Sequence, residues 1–178
     1  MALERESGGA VERALQAISS PSLREILLYW DSLRRGRPLP GWRDVDPLDL
    51  RRHLPIVWAW KYDRAADLFT GRLAGESITA VFGESLRNRS LEDFFKNRGY
   101  EDIREQFHRI VDEPAIYVGR GAVFDYAGHY GSGERIVMPL ADDGRHPDGL
   151  IGATTYAFAS SGDPATPQLQ EEIQFFPL

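Results

Sequence analysis

The sequence contains no cysteine. This absence excludes disulfides, thiol nucleophiles, cysteine-bound zinc and cysteine-linked chromophores such as a cysteinyl flavin. No apolar run approaches the roughly 18 residues of a membrane span. Met1–Gly9 is charged and lacks the apolar core of a signal peptide. We therefore predict no membrane association and a cytoplasmic location.

Basic residues are in the minority. The chain has 21 Lys and Arg against 27 Asp and Glu, for a formal net charge of -6. A nucleic-acid-binding domain normally presents a basic face, so we predict that nucleic acid is not a partner. The 178 residues are enough for one domain with extensions and for a substantial core.

Patterns of catalytic and metal-binding residues are missing as well. The histidines are scattered without the i,i+3 or i,i+4 spacing that suits a metal site: His53, His108, His129 and His146. No nucleophile elbow surrounds Ser132. Gly128–Gly133 leads from strand to strand rather than into a helix, which predicts a hairpin connection rather than a phosphate-binding loop. We therefore predict no catalytic residues and no metal.

Three consecutive segments rich in β-branched and aromatic residues predict antiparallel strands joined by turn-rich loops. They are Ala115–Tyr126, Glu134–Ala141 and Asp148–Phe158. Upstream, Ile56–Tyr62 and Leu68–Ala74 predict a hairpin. The predicted fold class is therefore α+β, with a five-stranded antiparallel sheet, helices on one face and a helical extension at the N-terminus.

Helices are predicted before and between these strands. Ser20 can cap a helix that has Pro21 in its first turn. Its apolar residues recur at helical spacing: Leu23, Ile26, Leu27, Trp30 and Leu33. This stripe either packs on its own domain or forms a homodimer with a second copy. Further helices are predicted at Glu76–Phe82, Ser90–Phe95 and Tyr100–Glu113.

The remaining segments complete the predicted organisation. We expect disorder over residues 1–9, short helices at Ala10–Ile18, Asp46–Leu54 and Gln168–Phe176, and a mobile polar stretch at Ser160–Pro167. The chain would divide into an N-terminal helical extension and linker (1–54), a sheet-containing domain (55–159) and a C-terminal tail (160–178).

Several sequence blocks between Tyr29 and Phe158 carry a more specific signal. These blocks are Tyr29–Arg34 with Gly36, Arg37 and Pro40, then Asp44–Leu50 with Leu54 and Pro55, then Phe69–Gly75, Phe82–Gly83, and Glu134–Leu140 with Asp142–Gly144. Together with the order of elements, they resemble the PAS_5 family, formerly a domain of unknown function in alphaproteobacteria.

The resemblance implies a PAS-like sensor or interaction domain, usually bacterial and cytoplasmic, with no widely assigned cofactor. Some PAS proteins carry a haem ligand on the helix that holds His108 here. His108 lies off the apolar stripe of Phe107 and Ile103, which favours a solvated helix face and argues against haem. The family tends to have a Thr-Gly-containing loop where this chain has Glu84–Arg89, so a ligand contact there is not carried over.

Aromatic residues crowd the elements that should face each other, which indicates a pocket between sheet and helices. The candidate cavity residues are Trp58, Trp60, Phe69, Arg72, Phe94, Phe107, Tyr117, Glu134 and Tyr156. The alternative, which we favour, is a core that these rings fill completely. Within the set, Glu134 and Arg72 are predicted to form an ion pair or to orient a ligand.

We therefore predict a non-enzymatic PAS-type sensory or interaction domain. With no effector segment after Phe158, it would stand alone and signal through a small metabolite or a separate signalling protein. The first alternative is a small α+β enzyme in the same cavity, using Arg72, Glu134 and Thr154. The second is a peripheral membrane adaptor that uses Trp58, Trp60, Phe175 and Phe176.

Overall fold

The structure, a computed structural model, describes the backbone of residues 2–96, 99–126, 129–158 and 171–178. It describes their side chains except at 2–8, 125–126 and 129–130. Within these ranges the strands are β1 (Val57–Asp63), β2 (Leu68–Ala74), β3 (Ala115–Tyr126), β4 (His129–Leu140), β5 (Gly149–Phe158) and β6 (Glu172–Pro177). They form one antiparallel sheet in the order β2-β1-β5-β4-β3-β6. The predicted α+β class and antiparallel sheet are therefore confirmed.

The described α-helices are α1 (Ala2–Ala17), α2 (Pro21–Leu33), α3 (Glu76–Phe82), α4 (Leu91–Phe95) and α5 (Tyr100–Asp112). Local signals set several of their ends. The Ser20 hydroxyl accepts a hydrogen bond from Leu23 N–H at the start of α2. Gly83 ends α3 in the left-handed region, with φ 70°. None of the described helices is long and apolar enough to cross a membrane.

Four segments differ from the prediction. The described part of Gln168–Phe176 is strand β6, which pairs with β3 rather than forming a helix. An exposed sheet edge offers unpaired backbone groups, and this pairing satisfies them. Helix α1 starts at Ala2 rather than Ala10, in keeping with the good helix formers Ala, Leu and Glu in its first turn. Ser160–Pro167 lies outside the described residues.

The other two differences are changes of local geometry. In place of a helix over Asp46–Leu54, the backbone makes successive turns. Hydrogen bonds between residues three apart close these turns, for example from His53 N–H to the Leu50 carbonyl at 2.7 Å. An α-helical hydrogen bond, from Leu54 N–H to the Leu50 carbonyl at 3.0 Å, follows these turns, and Pro55 disfavours a helix that continues through Leu54. Strand β4 begins at His129 rather than Glu134, so most of the predicted loop continues the β3–β4 hairpin.

Helices cover both faces of the sheet, whereas the sequence predicted helices on one face, because the N-terminal helices pack on the other face. On the first face, α1 and α2 pack on aliphatic sheet residues. These sheet residues are Val57, Ile116, Val118, Ile136, Met138, Leu140, Ile151 and Ala153. On the second face, α3, α4 and α5 pack on an aromatic set that includes Trp58, Trp60, Phe69 and Tyr117. The apolar stripe of α2 is thus buried within its own chain.

A buried carboxylate joins the first helical layer to the sheet. Glu134 on β4 is 8% exposed, and it accepts hydrogen bonds from Ser19 N–H (2.9 Å) and Ser20 N–H (2.6 Å) at the α1–α2 junction. Arg120 on β3 donates to the same carboxylate at 2.8 Å. Burial alone would raise the pKa of Glu134, but the two backbone donors and Arg120 hold the pKa below its ordinary value.

We expect Glu134→Gln to lower the free energy of unfolding by about 1–3 kcal/mol at pH 7, because the charge-assisted bonds to Ser19, Ser20 and Arg120 are weakened. The pKa of Glu134 is lowered by folding, so its contribution is present above about pH 4.3 and is lost as pH falls further. The difference between the two proteins should therefore shrink in acid. Urea titrations of both proteins at pH 7 and pH 3.5 measure this difference, and Glu12→Gln is the control because Glu12 is exposed. A constant difference at both pH values would contradict this role.

Candidate functional site

A cavity of about 560 Å3 lies between the second face of the sheet and the helices α3 to α5. Its apolar wall includes Trp58, Trp60, Ile78, Phe107, Ile110, Val123, Phe124, Val137 and Phe175. Cavities that bind small molecules typically measure about 300–1,000 Å3. The expectation that aromatic rings fill this space is therefore wrong.

The two-residue period of the strands directs these side chains to the cavity. Trp58 and Trp60 alternate along β1, while Arg135 and Val137 alternate along β4. A β-bulge between Ala122 and Phe124 shifts the register of β3, which lets the adjacent residues Val123 and Phe124 both reach the cavity.

A glycine makes room for one of these rings. Trp58 lies opposite Gly152 of β5, and a Cβ added at Gly152 would come within 2.3 Å of the Trp58 indole. The ring therefore lies over β5, where Trp58 Nε1 donates to the Thr154 hydroxyl at 3.0 Å. Its other neighbour is Phe107, with the ring planes 16° from parallel and the centroids 5.9 Å apart.

One wall of the cavity is polar and contains Tyr117, Arg135 and Glu171. The Tyr117 hydroxyl donates to Glu171 Oε1 at 2.9 Å, and Arg135 Nη1 donates to Glu171 Oε2 at 3.3 Å. Arg135 also donates to the Val123 carbonyl. The Arg135 and Glu171 side chains are only 16% and 14% exposed, so this is a largely buried ion pair with a phenol hydroxyl bound to it.

Tyr117 acts in this wall as a hydrogen-bond donor. Burial raises its pKa well above the ordinary value, and the positive charge of Arg135 opposes this rise. The negative charge of Glu171 and the hydrogen bond to it raise the pKa further. The hydroxyl therefore stays protonated at physiological pH and holds the carboxylate in place.

The outer rim of the cavity belongs mainly to helix α5. Asp102, Glu105, Gln106 and Arg109 line this side. The Arg109 guanidinium lies 3.9 Å from the ring centroid of Phe175 on β6, which is a close cation–π contact. The rim thus carries both signs of charge, whereas the interior presents aromatic surface and the Arg135–Glu171 pair.

Four of the predicted cavity residues line the cavity: Trp58, Trp60, Phe107 and Tyr117. Phe69, Phe94 and Tyr156 belong to the surrounding aromatic cluster instead. Phe69 stacks on Tyr62 with centroids 4.4 Å apart, and the Tyr156 hydroxyl donates to the Ser77 carbonyl at 2.7 Å. Because Trp58 and Trp60 are buried, the membrane-adaptor alternative lacks the surface that it requires.

Arg72 and Glu134 were placed wrongly by the sequence reasoning. Neither is among the described residues that line the cavity. Arg72 is exposed and its guanidinium lies 4.7 Å from the ring centroid of Trp42. Glu134 faces the first layer of helices and pairs with Arg120. Successive strand residues point to opposite faces, so the residue of β4 that reaches the cavity is Arg135, next to Glu134.

His108 also differs from its predicted position on a solvated helix face. Its side chain is 20% exposed and packs edge-on against Tyr62 and Phe69, with Nε2 3.2 Å from Asp67 Oδ1. It does not belong to the described cavity lining. Among the residues with described side chains, no cluster of three His, Asp or Glu could hold a metal ion.

Comparison with known proteins supports the assignment of the fold. The model of the PAS_5 family, described as a PAS domain, matches residues 18–155, which confirms the resemblance noted from the sequence blocks. A search of curated proteins finds no match.

The solved structures that match this chain include three of VqmA. One is a Vibrio cholera VqmA–ligand–DNA complex, with 13% identity, a TM-score of 0.48, and coverage of 62% of this chain and 50% of that chain. VqmA bound to DPO gives 14% identity, a TM-score of 0.47, and coverage of 62% and 56%. A Vibrio cholerae VqmA dimer without its target DNA gives 15% identity and a TM-score of 0.46, and the match covers 62% of this chain and 50% of that chain. This chain therefore spans about half the length of these proteins.

The raised pKa of Tyr117 predicts a loss of stability in alkali. Above about pH 10 the tyrosine of the unfolded chain ionises while the buried one does not, so the free energy of unfolding falls by up to about 1.4 kcal/mol per pH unit from this group. Tyr117→Phe lacks this contribution. Urea titrations at pH 8, 10 and 11 should therefore show that the variant loses less stability than the wild type above pH 10. Parallel losses in the two proteins would show that Tyr117 titrates normally.

Proposed function

Because the chain belongs to the PAS_5 family of PAS domains, we propose that it is a sensory domain that binds a small molecule in the cavity between β1, β3, β4, β5 and helices α3 to α5. The observation that carries this proposal is the cavity itself. Ligand sites are concave, mostly apolar spaces of about 300–1,000 Å3 with a few polar groups, and this one measures about 560 Å3 and has one polar wall. A ligand with an apolar body and a polar end fits such a space.

A route from the cavity to the opposite face supports a signalling role. Arg135 reaches the polar wall, while its neighbour Glu134 holds the backbone of Ser19 and Ser20 at the α1–α2 junction. A ligand that shifts β4 therefore acts on both layers. A change in the position of α1 and α2 is the output that a partner protein would detect.

The partner in this proposal is a separate signalling protein or a second copy of the chain. A contact through α2 would use its outer surface, where Leu28 is 51% exposed, because the opposite stripe is buried in the core. The residence of the protein in the cytoplasm belongs to the same proposal.

The enzyme alternative is weaker. Of its three residues, only Thr154 lines the cavity, and the Thr154 hydroxyl already accepts a hydrogen bond from Trp58. Both oxygens of Glu171 accept hydrogen bonds, from Tyr117 and from Arg135. A carboxylate held in this way anchors neighbouring groups, whereas a general base needs an oxygen directed at a substrate proton.

The four tryptophans allow a direct test of ligand binding. Trp58 and Trp60 line the cavity, whereas Trp30 and Trp42 pack with the first face. In 1H–15N spectra recorded with a library of small aromatic fragments, we expect binders to shift the indole N–H signals of Trp58 and Trp60 and to leave those of Trp30 and Trp42 in place.

A pair of variants at one position controls this experiment. Val123 is 4% exposed and lines the cavity. Val123→Phe adds a ring to the empty space and should abolish fragment binding with the fold intact, while Val123→Ile, which adds one methylene, should retain it. Fragments that shift all four indole signals alike, or that bind Val123→Phe as well as the wild type, would refute a specific site in the cavity.

A further inference from the structure

The polar wall of the cavity has the form of a carboxylate-binding site that is already occupied. Arg135 and the Tyr117 hydroxyl each donate to a different oxygen of the same carboxylate, at 3.3 and 2.9 Å. Two donors directed at the two oxygens of one carboxylate give both affinity and orientation. The carboxylate in this site belongs to Glu171 of the same chain.

The two donors and the carboxylate come from different parts of the chain. Tyr117 and Arg135 lie on β3 and β4, within the sheet, and the pairing of Tyr117 with Val137 and of Gly119 with Arg135 fixes their spacing. Glu171 lies one residue before β6, the edge strand. Each donor therefore lies on a strand that is paired with a neighbouring strand on both sides, whereas the carboxylate lies next to the edge strand.

The sheet also leaves room for a carboxylate at this point. Gly119 faces Arg135 in the register of β3 and β4. A Cβ added at Gly119 would come within 2.1 Å of Glu171 Oε1 and 2.8 Å of the Tyr117 hydroxyl. Any side chain at Gly119 would fill the space in which the carboxylate now lies.

Building on the ligand-binding function proposed above, we propose that Arg135 and Tyr117 are the receptor for the carboxylate of a small organic acid, and that Glu171 is a built-in competitor for this site. The acid would place its carboxylate where that of Glu171 now lies and its apolar or aromatic body among Trp58, Phe107 and Val137. Glu171 would turn out toward solvent.

Charge favours an acid over a neutral or basic ligand. Removing one partner of a largely buried ion pair leaves the other charge uncompensated, which is strongly unfavourable. A neutral ligand that displaced Glu171 would leave Arg135 in that state, and a cation would add repulsion. An anionic ligand restores the pair and leaves the charge of the cavity unchanged.

The exchange does not require the loss of β6. The strand pairs with β3 from Ala115 to Arg120, starting at Glu172, and Leu178 N–H donates a hydrogen bond to the Pro114 carbonyl at 3.0 Å. Phe175 packs against Tyr117 and Arg109. Glu171 can therefore leave Arg135 while the edge strand stays in place.

The test compares 3-phenylpropionate, phenylacetate and 4-phenylbutyrate with their matched primary amides, which have the same shape and no charge. Affinities are measured by calorimetry for the wild type and for Glu171→Gln, Arg135→Gln and Tyr117→Phe, with folding checked by circular dichroism. Glu172→Gln is the matched control, because Glu172 is the exposed neighbour of Glu171.

We expect at least one acid to bind Glu171→Gln tenfold or more tightly than it binds the wild type, with its amide unchanged and Glu172→Gln behaving like the wild type. Arg135→Gln should remove the preference for the acid, and Tyr117→Phe should reduce it. Tyr117→Phe keeps the ring and the ion pair, so it tests the site even if Arg135→Gln fails to fold.

The inference is overturned if acids and amides bind Glu171→Gln equally, or if Glu172→Gln has the same effect as Glu171→Gln. If that happens but amides or neutral fragments still shift the indole N–H signals of Trp58 and Trp60, the cavity binds ligands and only the proposed carboxylate site is refuted. If neither acids nor neutral fragments shift those signals, the proposed function fails, and this inference fails with it.

Discussion

The alternation of side chains along a sheet that is buried on both faces is the constraint on which the rest of this structure depends. Along β4, Glu134, Ile136 and Met138 face α1 and α2, while Arg135 and Val137 face the cavity. Because both faces are covered, each charged residue of this strand needs a partner within the protein. Glu134 has Arg120 and two backbone N–H groups, and Arg135 has Glu171. The backbone hydrogen bonds to Glu134 thus connect the sheet to the α1–α2 junction on one side, and the Arg135–Glu171 ion pair connects it to the residue before the edge strand β6 on the other.

The two layers differ in the side chains that they use, and this difference explains why only one of them contains the site. The first layer consists mainly of aliphatic residues such as Leu23 and Ile136, and it includes the buried ring of Trp30. The second layer is built of large rigid rings, with Trp58 stacked on Phe107 and Trp60 at an angle to both Phe94 and Phe107. Trp58, Trp60 and Phe107, which make these contacts, line the cavity. Arg135 and Glu171 at its border give that space a polar end.

The sequence predicts those parts of the fold whose signals are local. Helix α3 and strands β2 and β3 have the predicted bounds, because Gly75, Gly83 and Pro114 mark chain turns whatever else is near. The errors that affect the site concern pairings between distant residues. Strand β6 requires the edge of β3, and the choice of Glu134 over Arg135 depended on which face each residue occupies. Continuing the alternation back from Val137 would have identified Arg135, whereas Glu171 becomes visible only once β6 is paired with β3.

If the space between the sheet and helices α3 to α5 is a cavity able to hold a ligand, xenon should bind there, and this test needs no knowledge of the ligand. Apolar cavities in protein interiors bind xenon, and close-packed cores do not. Diffraction from a crystal pressurised with xenon should show an ordered xenon atom beside Trp58, Phe107 and Val137, and none between α2 and the sheet. Aromatic rings that close this space, with no xenon between the layers, would contradict the account.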